Sequence, residues 1–358
     1  MAAKPTGIPR IVFLLFLALL SGCVSRGSGE NVSLSYVWDY ATGDYVRGTV
    51  AVHDGMVYVG SDDNSFHAID VRAGEVLWRY ETEDNVASRP VVFENTVCFG
   101  AWDGNVYALE AATGDLVWRH ETNGWITAPL LLDQDVIYVG SHDRHLYALD
   151  AAEGKLLWRY RTEGYIQGGA ALTENLVLFG SADNYFYALN RVDGSLAWRY
   201  GTDGDIVGAP AVRDGTVYFG SCDRTVYALD ATEGELEWTF AAEHAIACSP
   251  RIHDEVLYVG SNGGRLYALD RNKGKLLWNY ATEDMIRSAP RVWRSVVLVG
   301  SDDGALYALD RVSGDEVWSY QTGGAIIGDP IVAADRLYVG STDSRLHAFE
   351  LRDEGAEP

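Results

Sequence analysis

Short apolar runs separated by Asp- and Gly-rich turns fill the chain from about residue 34 to residue 350. The forty residues 206–245 show the pattern, with four runs rich in Val, Tyr, Leu and Trp at 206–212, 217–221, 226–230 and 236–240. Runs of this length and composition, bounded by turn residues, are typical of β-strands. No segment of the repeat has a sustained helical period with capping residues. The pattern predicts an all-β chain built from four-stranded antiparallel meanders.

The four-run unit recurs with a fixed period of 40 residues. A glycine follows the apolar core of the second run at eight positions: Gly60, Gly100, Gly140, Gly180, Gly220, Gly260, Gly300 and Gly340. A tryptophan marks the fourth run at eight positions: Trp38, Trp78, Trp118, Trp158, Trp198, Trp238, Trp278 and Trp318. A period of this length indicates one supersecondary unit copied in tandem, each copy unable to bury its apolar face alone. Eight four-stranded sheets arranged radially form an eight-bladed β-propeller with short, protected edges.

The two ends of the repeat predict how the ring closes. The last copy runs over 336–350 and stops before its tryptophan strand, whereas the first tryptophan strand, 34–42, has no strands before it. We therefore expect residues 34–42 to supply the outermost strand of the eighth blade. That single pairing would join both ends of a propeller spanning 34–350.

Three recurring features inside the unit have structural explanations. Each outer-strand tryptophan is expected to pack between neighbouring blades. The Asp-x-x-x-Gly turns, such as Asp230 to Gly234, combine a side chain that binds backbone N–H groups with a residue that tolerates positive φ. The acidic residue three positions after the strand glycine is expected to accept a hairpin-loop hydrogen bond rather than bind a metal, since its copies lie on separate blades. It occurs seven times, as Asp63, Asp103, Asp143, Asp183, Asp223, Asp303 and Asp343.

The N-terminal segment has the features of an export signal. A basic region with Lys4 and Arg10 precedes an apolar stretch over 11–20, which is too short to span a bilayer, and a short motif ending at Cys23 follows. This arrangement resembles a bacterial lipoprotein signal. It predicts cleavage of residues 1–22 and lipid attachment to the Cys23 sulfur, with an ordinary thiol as the alternative.

The segments flanking the propeller are expected to lack regular structure. Residues 23–33 are rich in Gly and Ser and predict a flexible tether, and residues 351–358 predict a disordered acidic tail. We expect an exported, membrane-anchored lipoprotein that faces the periplasm from the outer membrane. In an organism without an outer membrane, the expectation becomes the cell surface.

The charge balance excludes one class of partner. Asp and Glu number 51 against 28 Lys and Arg, which gives a formal net charge of −23. Nucleic-acid binding needs a basic footprint, and the chain has none. Such acidity favours solubility, so we expect a monomeric propeller that touches the membrane only through its lipid anchor.

Cysteines and histidines do not form a metal-binding pattern. Cys98 lies within a strand and is expected to be a small buried apolar residue, and whether Cys222 and Cys248 form a disulfide is left open. The His142-x-x-His145 pair lacks an obvious third ligand. We therefore expect no metal site.

The motif Tyr-Ala-Leu-Asp-x-x-x-Gly-x-x-x-Trp recurs with unchanged spacing over 147–158, 227–238, 267–278 and 307–318. It resembles the tryptophan-docking repeat of the quinoprotein-type, or PQQ-like, propellers. A lipoprotein branch of that family, the BamB proteins, is similar in length and blade number. The resemblance implies a non-catalytic scaffold that assists assembly of outer-membrane β-barrels, with the barrel-assembly subunit as its protein partner.

The same family contains quinone-dependent dehydrogenases, so a PQQ-dependent oxidoreductase is the alternative. Those enzymes usually carry long insertions between blades and an adjacent cysteine pair, and this chain has neither. If PQQ bound, Arg47, Arg89, Gln167 and Arg287 would lie near the channel mouth to face its carboxylates. Polar residues lining a wet tunnel are the simpler explanation of these four and the one we favour, and we expect no catalytic residues and no cofactor.

Aromatic residues that break the repeat indicate a binding face. Loops after the second and fourth strands of every blade emerge on one side of the ring, because antiparallel strands alternate in direction. On that side the sequence places Trp102, Trp125, His142, Tyr165 and Tyr185 on neighbouring blades. Exposed aromatic residues are enriched at interface hot spots, which predicts a partner-binding site. Local packing over the blade tops is the alternative interpretation, and a cell-surface ligand-sensing or adhesion propeller is a further alternative function.

Overall fold

The computed structural model describes residues 32–353, which form 32 β-strands and contain no helix. The strands associate into eight separate four-stranded antiparallel sheets. Each sheet is one blade, and within blades one to seven the strands pair in chain order from the innermost to the outermost. The predicted eight-bladed β-propeller is confirmed.

The strands are numbered in chain order, and the first strand of each blade is the innermost. Blade one contains β2 Ala51–His53, β3 Met56–Ser61, β4 Ser65–Asp70 and β5 Val76–Glu81. Blade two contains β6 Val91–Phe93, β7 Thr96–Gly100, β8 Asn105–Glu110 and β9 Leu116–Glu121. Blade three contains β10 Leu131–Asp133, β11 Val136–Gly140, β12 His145–Asp150 and β13 Leu156–Arg161. Blade four contains β14 Ala171–Leu172, β15 Leu176–Gly180, β16 Tyr185–Asn190 and β17 Leu196–Gly201.

The second half of the ring repeats this arrangement. Blade five contains β18 Ala211–Arg213, β19 Thr216–Gly220, β20 Thr225–Asp230 and β21 Leu236–Ala241. Blade six contains β22 Arg251–His253, β23 Val256–Gly260, β24 Arg265–Asp270 and β25 Lys275–Ala281. Blade seven contains β26 Arg291–Trp293, β27 Val296–Gly300, β28 Ala305–Asp310 and β29 Glu316–Gln321. Blade eight contains β30 Ile331–Ala333, β31 Arg336–Ser341, β32 Arg345–Asp353 and the N-terminal strand β1 Val32–Ala41.

The ring closes through the pairing of β1 with β32, as the sequence predicts. The sheet order of blade eight is β1-β32-β31-β30, and the register runs from Val32 opposite Asp353 to Ala41 opposite Arg345. Both strands extend further than expected: β1 starts within the predicted tether, and β32 continues three residues into the predicted tail. The reason is packing, since Val32 and Leu351 join one apolar cluster with residues of blade seven. The predicted signal sequence and Cys23 lie outside the described residues.

The period glycine of each second strand makes room for the next connection. A Cβ placed on Gly100 would lie 2.0 Å from the Ile126 side chain, and one on Gly220 would lie 2.1 Å from Ile246. Both isoleucines are fully buried. Such distances are far inside van der Waals contact, so only glycine allows the connection to pack this closely.

The outer-strand tryptophans dock onto the turn of the next blade, which confirms their predicted position between blades. Trp118 is 8% exposed, and its indole N–H donates to the Ala151 carbonyl at 3.1 Å. A Cβ on Gly154, in the Asp150-x-x-x-Gly154 turn, would lie 2.4 Å from the Trp118 ring, and Gly154 has φ of +66°. Glycine is required here both for the left-handed turn and for the flat face it offers to the indole.

The recurring acidic residue forms the expected hairpin-loop bonds and also ties adjacent blades together. The Asp143 carboxylate accepts hydrogen bonds from the Tyr147 hydroxyl at 2.6 Å and from the His145 N–H at 3.0 Å, both within blade three. It also accepts the N–H of Asn123, which follows the outer strand of blade two, at 3.0 Å. Burial raises the pKa of Asp143, but the bond from Tyr147 and its other partners outweigh burial and lower it.

Candidate functional site

The loops that carry the repeat-breaking aromatic residues lie side by side on one face. The β7–β8 loop holds Trp102 and the β11–β12 loop holds His142, whereas Trp125 and Tyr165 lie in the connections that lead from blade two to three and from blade three to four. The His142 N–H donates to the Trp125 carbonyl at 2.9 Å, and the Ala182 N–H donates to the Tyr165 carbonyl at 3.0 Å. These backbone bonds recur at successive blades and fix each connection against the next loop.

Four of the aromatic side chains form a continuous stack across blades two to four. The ring centroids of Trp102 and Trp125 are 5.1 Å apart with planes inclined by 16°. Trp125 and His142 are 5.6 Å apart at 44°, and His142 and Tyr165 are 4.9 Å apart at 17°. These separations lie within the range favoured for aromatic pairs. We call Trp102, Trp125, His142 and Tyr165 the aromatic ladder.

Within the aromatic ladder, Trp102 and His142 are half-buried, and Trp125 and Tyr165 are exposed. Trp125 is 49% exposed and Tyr165 is 36% exposed, although both stack on half-buried neighbours. The Thr127 hydroxyl lies 3.0 Å from His142 Nε2. Burial lowers the pKa of His142, so its ring is neutral at pH 7 and stacks without the cost of desolvating a charge. Because the rings are held by stacking, their side chains should lose little conformational entropy when a partner binds.

Tyr185, the fifth residue of the predicted partner-binding site, lies outside the aromatic ladder. It is the first residue of strand β16 rather than a loop residue. Its ring lies 6.1 Å from that of Tyr187, and the Arg199 guanidinium sits over it at 4.6 Å. His145 likewise begins β12, where Nδ1 lies 3.2 Å from the Asp143 carboxylate. The strands start earlier than the loop pattern indicates, so both side chains follow the strand instead of the loop.

Ion pairs occupy the equivalent loops of blades one and seven. Arg47 Nε donates to Asp62 at 2.5 Å, and Arg47 also lies over the Tyr45 ring at 5.0 Å. Arg287 Nε donates to Asp302 at 3.0 Å. Sequence reasoning overlooked the two aspartates, although each stands two residues after the period glycine, as Trp102 and His142 do. The face therefore carries the aromatic ladder over blades two to four and ion pairs on blades one and seven.

The residues expected to face PQQ do not form a site for it. Arg47 and Arg287 are committed to aspartates, and Gln167 is an exposed residue of the blade three to four connection. The cysteines Cys98, Cys222 and Cys248 are all free, so residues 32–353 contain no vicinal disulfide. Within the same residues no group of three or more His, Cys, Asp or Glu side chains is arranged to hold a metal ion. This donor set does not fit the quinone and its calcium.

Arg89 lies apart from these residues, in the central channel. A cavity of about 490 Å³ in the channel is lined by the first strands of blades eight, one, two and three, with Ala51, Val91, Leu131 and Ile331 among the lining residues. Arg89, which precedes the first strand of blade two, and His53, which ends that of blade one, also line it. The other lining side chains are apolar.

Two further arginines, which the sequence analysis overlooked, project from the first strands of blades six and seven. Arg251 begins β22 and Arg291 begins β26, each directly after a proline and at a position where the other blades carry Ala, Val, Leu or Ile. Burial lowers the pKa of Arg89, and Arg251 lowers it further, whereas Asp329 raises it. Arg251 and Arg291 stand at the same repeat position as the cavity-lining residues Val91 and Leu131, so they face the channel from the side of the ring opposite Arg89. We call Arg89, Arg251 and Arg291 the channel arginines.

Comparison with known proteins identifies relatives of the whole propeller. A family model described as outer membrane protein assembly factor BamB matches residues 24–92, 82–166, 145–295 and 284–356. A comparison with curated protein sequences gave no significant match. No helix in residues 32–353 is long and apolar enough to cross a membrane.

Solved structures share the fold at low sequence identity. BamB from Moraxella catarrhalis is 22% identical, with a TM-score of 0.78 over 89% of this chain and 100% of that one. A computationally designed protein is 18% identical, with a TM-score of 0.79 over 88% of this chain and 99% of that one. A europium-containing methanol dehydrogenase is 15% identical, with a TM-score of 0.78 over 88% and 93% of the respective chains. Because the fold serves a binding protein, an enzyme and a design alike, the fold by itself assigns no activity.

Proposed function

Because the chain belongs to the family described as outer membrane protein assembly factor BamB, we propose that it is a non-catalytic scaffold of the cell envelope that assists outer-membrane β-barrel assembly. Its partner is the barrel-assembly subunit, and Cys23 carries the lipid that holds the propeller at the membrane. The observation that carries the proposal is the aromatic ladder, a half-exposed stack confined to three of eight blades. Nothing in the folding of a repeated blade requires such a stack at one place only.

The mechanism is rigid presentation. The closed ring and the backbone bonds between loops hold the aromatic ladder in one arrangement before the partner arrives, which lowers the entropic cost of association. The rings of Trp125 and Tyr165 supply the contact area, since large aromatic side chains with few rotatable bonds dominate interface hot spots. The net charge of −23 favours a partner segment that flanks its apolar side chains with Lys or Arg.

Photocrosslinking in the native envelope tests this proposal. A photoreactive residue at Glu163, an exposed position two residues from Tyr165, is expected to capture the barrel-assembly subunit. Trp125→Ala or Tyr165→Ala should weaken binding of that purified subunit by about 30-fold, the equivalent of losing about 2 kcal/mol at a hot spot. Tyr45→Ala is the matched control, because Tyr45 occupies the same repeat position, is 41% exposed and lies outside the aromatic ladder.

The outcomes separate the parts of the proposal. Equal weakening by Tyr45→Ala would place the interface elsewhere on the face, and capture of a different protein would overturn the role in barrel assembly. Absorbance from bound quinone together with dye reduction, after addition of PQQ and calcium, would overturn the non-catalytic assignment. Thermal unfolding of each variant shows whether the substitution has lowered the stability of the fold itself.

A further inference from the structure

The central channel has a charge opposite to that of the whole molecule. It contains the three channel arginines and one nearby carboxylate, Asp329, which influences the pKa of both Arg89 and Arg291. The channel is therefore locally positive in a protein with a formal net charge of −23. Positive charge gathered on the axis of an acidic propeller is an arrangement that neither the repeat nor the closure of the ring requires.

The guanidinium groups of the channel arginines have no partners among the residues that the structure describes. Within 32–353 none of these guanidinium groups donates a hydrogen bond or forms an ion pair within 4.0 Å. The Nε atoms of Arg251 and Arg291 are buried without an acceptor. Asp329 forms no ion pair with them; its carboxylate accepts the Ala289 N–H at 2.8 Å and offsets one of the three positive charges only from a distance. Several arginines elsewhere on the molecule are paired, for example Arg47 with Asp62 and Arg271 with Glu255.

Like charges that are unpaired and partly desolvated destabilise one another. Burial lowers the pKa of the Arg291 guanidinium, and Arg251 and Arg89 lower it further. Guanidinium groups present paired N–H donors that match carboxylate and phosphate oxygens. An oxyanion placed among the three would satisfy the orphaned donors and relieve the repulsion at the same time.

We propose that the central channel binds a small multivalent oxyanion, either inorganic phosphate or an organic di- or tricarboxylate, between Arg251 and Arg291 on one side and Arg89 on the other. Two negative charges balance the three arginines once Asp329 is counted, so a dianion is favoured over a monovalent ion. The adjoining cavity of about 490 Å³ is large enough for a small organic acid. The inference is independent of the proposed function, because it concerns the axis of the ring and not the face that carries the aromatic ladder.

Calorimetry and thermal unfolding at low ionic strength test the site, with inorganic phosphate and citrate as separate probes. We expect at least one probe to bind and to raise the Tm of the wild-type protein, since a ligand that binds only the folded state stabilises it. Binding of phosphate alone identifies a free phosphate site, and binding of citrate identifies a polycarboxylate site. The double variant Arg251→Gln/Arg291→Gln should bind the same probe about tenfold or more weakly, as expected for lost charge-assisted bonds.

A second measurement distinguishes a ligand site from a structural role. Without added anion, the double variant should melt at the same or a higher temperature than the wild type, because it removes unpaired like charges. Arg265→Gln is the control, since Arg265 lies on the outside of blade six and pairs with Glu243 at 3.1 Å. The inference fails if neither probe binds the wild type, if Arg265→Gln weakens binding equally, or if the double variant is less stable in the absence of anion.

Discussion

The fit between Trp118 and the turn of the next blade can be measured with two glycine substitutions. Gly154 and Gly215 both have left-handed backbones, with φ of +66° and +85°. A Cβ on Gly215 would meet nothing within 4 Å, whereas one on Gly154 would lie 2.4 Å from the Trp118 ring. Substitution by alanine imposes the same backbone strain at both sites, about 1–2 kcal/mol. Only at Gly154 does it also displace an indole.

The expected magnitudes follow from this difference. Gly215→Ala should lower the free energy of unfolding by about 1 kcal/mol, because relief of unfolded-chain entropy offsets part of the strain. Gly154→Ala should lower the free energy of unfolding by about 1–3 kcal/mol more than Gly215→Ala does, which is the usual range for overpacking a core. The displaced indole also weakens its N–H bond to the Ala151 carbonyl, which the structure holds at 3.1 Å.

Urea unfolding followed by far-ultraviolet circular dichroism measures both variants, with the m-value checked for constancy. Trp118→Ala completes a double-mutant cycle and should itself cost about 3–5 kcal/mol. In the Trp118→Ala background, Gly154→Ala should lower the free energy of unfolding no more than Gly215→Ala does, because the indole ring that the new Cβ would contact is absent. If the two glycine variants of the otherwise unchanged protein agree within about 0.5 kcal/mol, the docking argument is wrong.

Two further predictions concern ring closure and acid stability. Deleting residues 32–41 removes the outer strand of blade eight together with Trp38, and should lower the Tm by about 10 °C or more in a calorimetric scan; an unchanged Tm contradicts closure by this strand. Burial raises the pKa of Asp63, but hydrogen bonds from His67 and from the Gly43 N–H outweigh burial and hold it at about 2, below the usual 3.8. A depressed carboxyl pKa contributes stability that is present above the unfolded value and lost as the pH falls through the folded one, here up to about 2 kcal/mol. Asp63→Asn should therefore lose less stability than the wild type between about pH 5 and pH 2, and identical pH profiles would refute the assignment.

Much of the candidate site could be found from the sequence because repeat position determines which loop carries a residue. Trp102 and His142 share one position of the repeat, and Trp125 and Tyr165 share another, so their common face follows from strand direction alone. Whether side chains in those loops touch was not predictable in the same way. Tyr185 is the first residue of β16, paired with Gly201 of the neighbouring strand, and its ring contacts Tyr187 and Arg199 instead of the aromatic ladder.

The sequence by itself determined the strand content, the number of blades, the closing strand and the residues required at tight turns. These features depend on local chemistry repeated every 40 residues, so periodicity is sufficient to reveal them. Only the tertiary structure decided the stacking of the aromatic ladder from blade to blade and the burial of the Arg251 and Arg291 Nε atoms without an acceptor. Contacts between blades depend on the radius of the ring and on the angle between neighbouring sheets, and a one-dimensional repeat contains neither quantity.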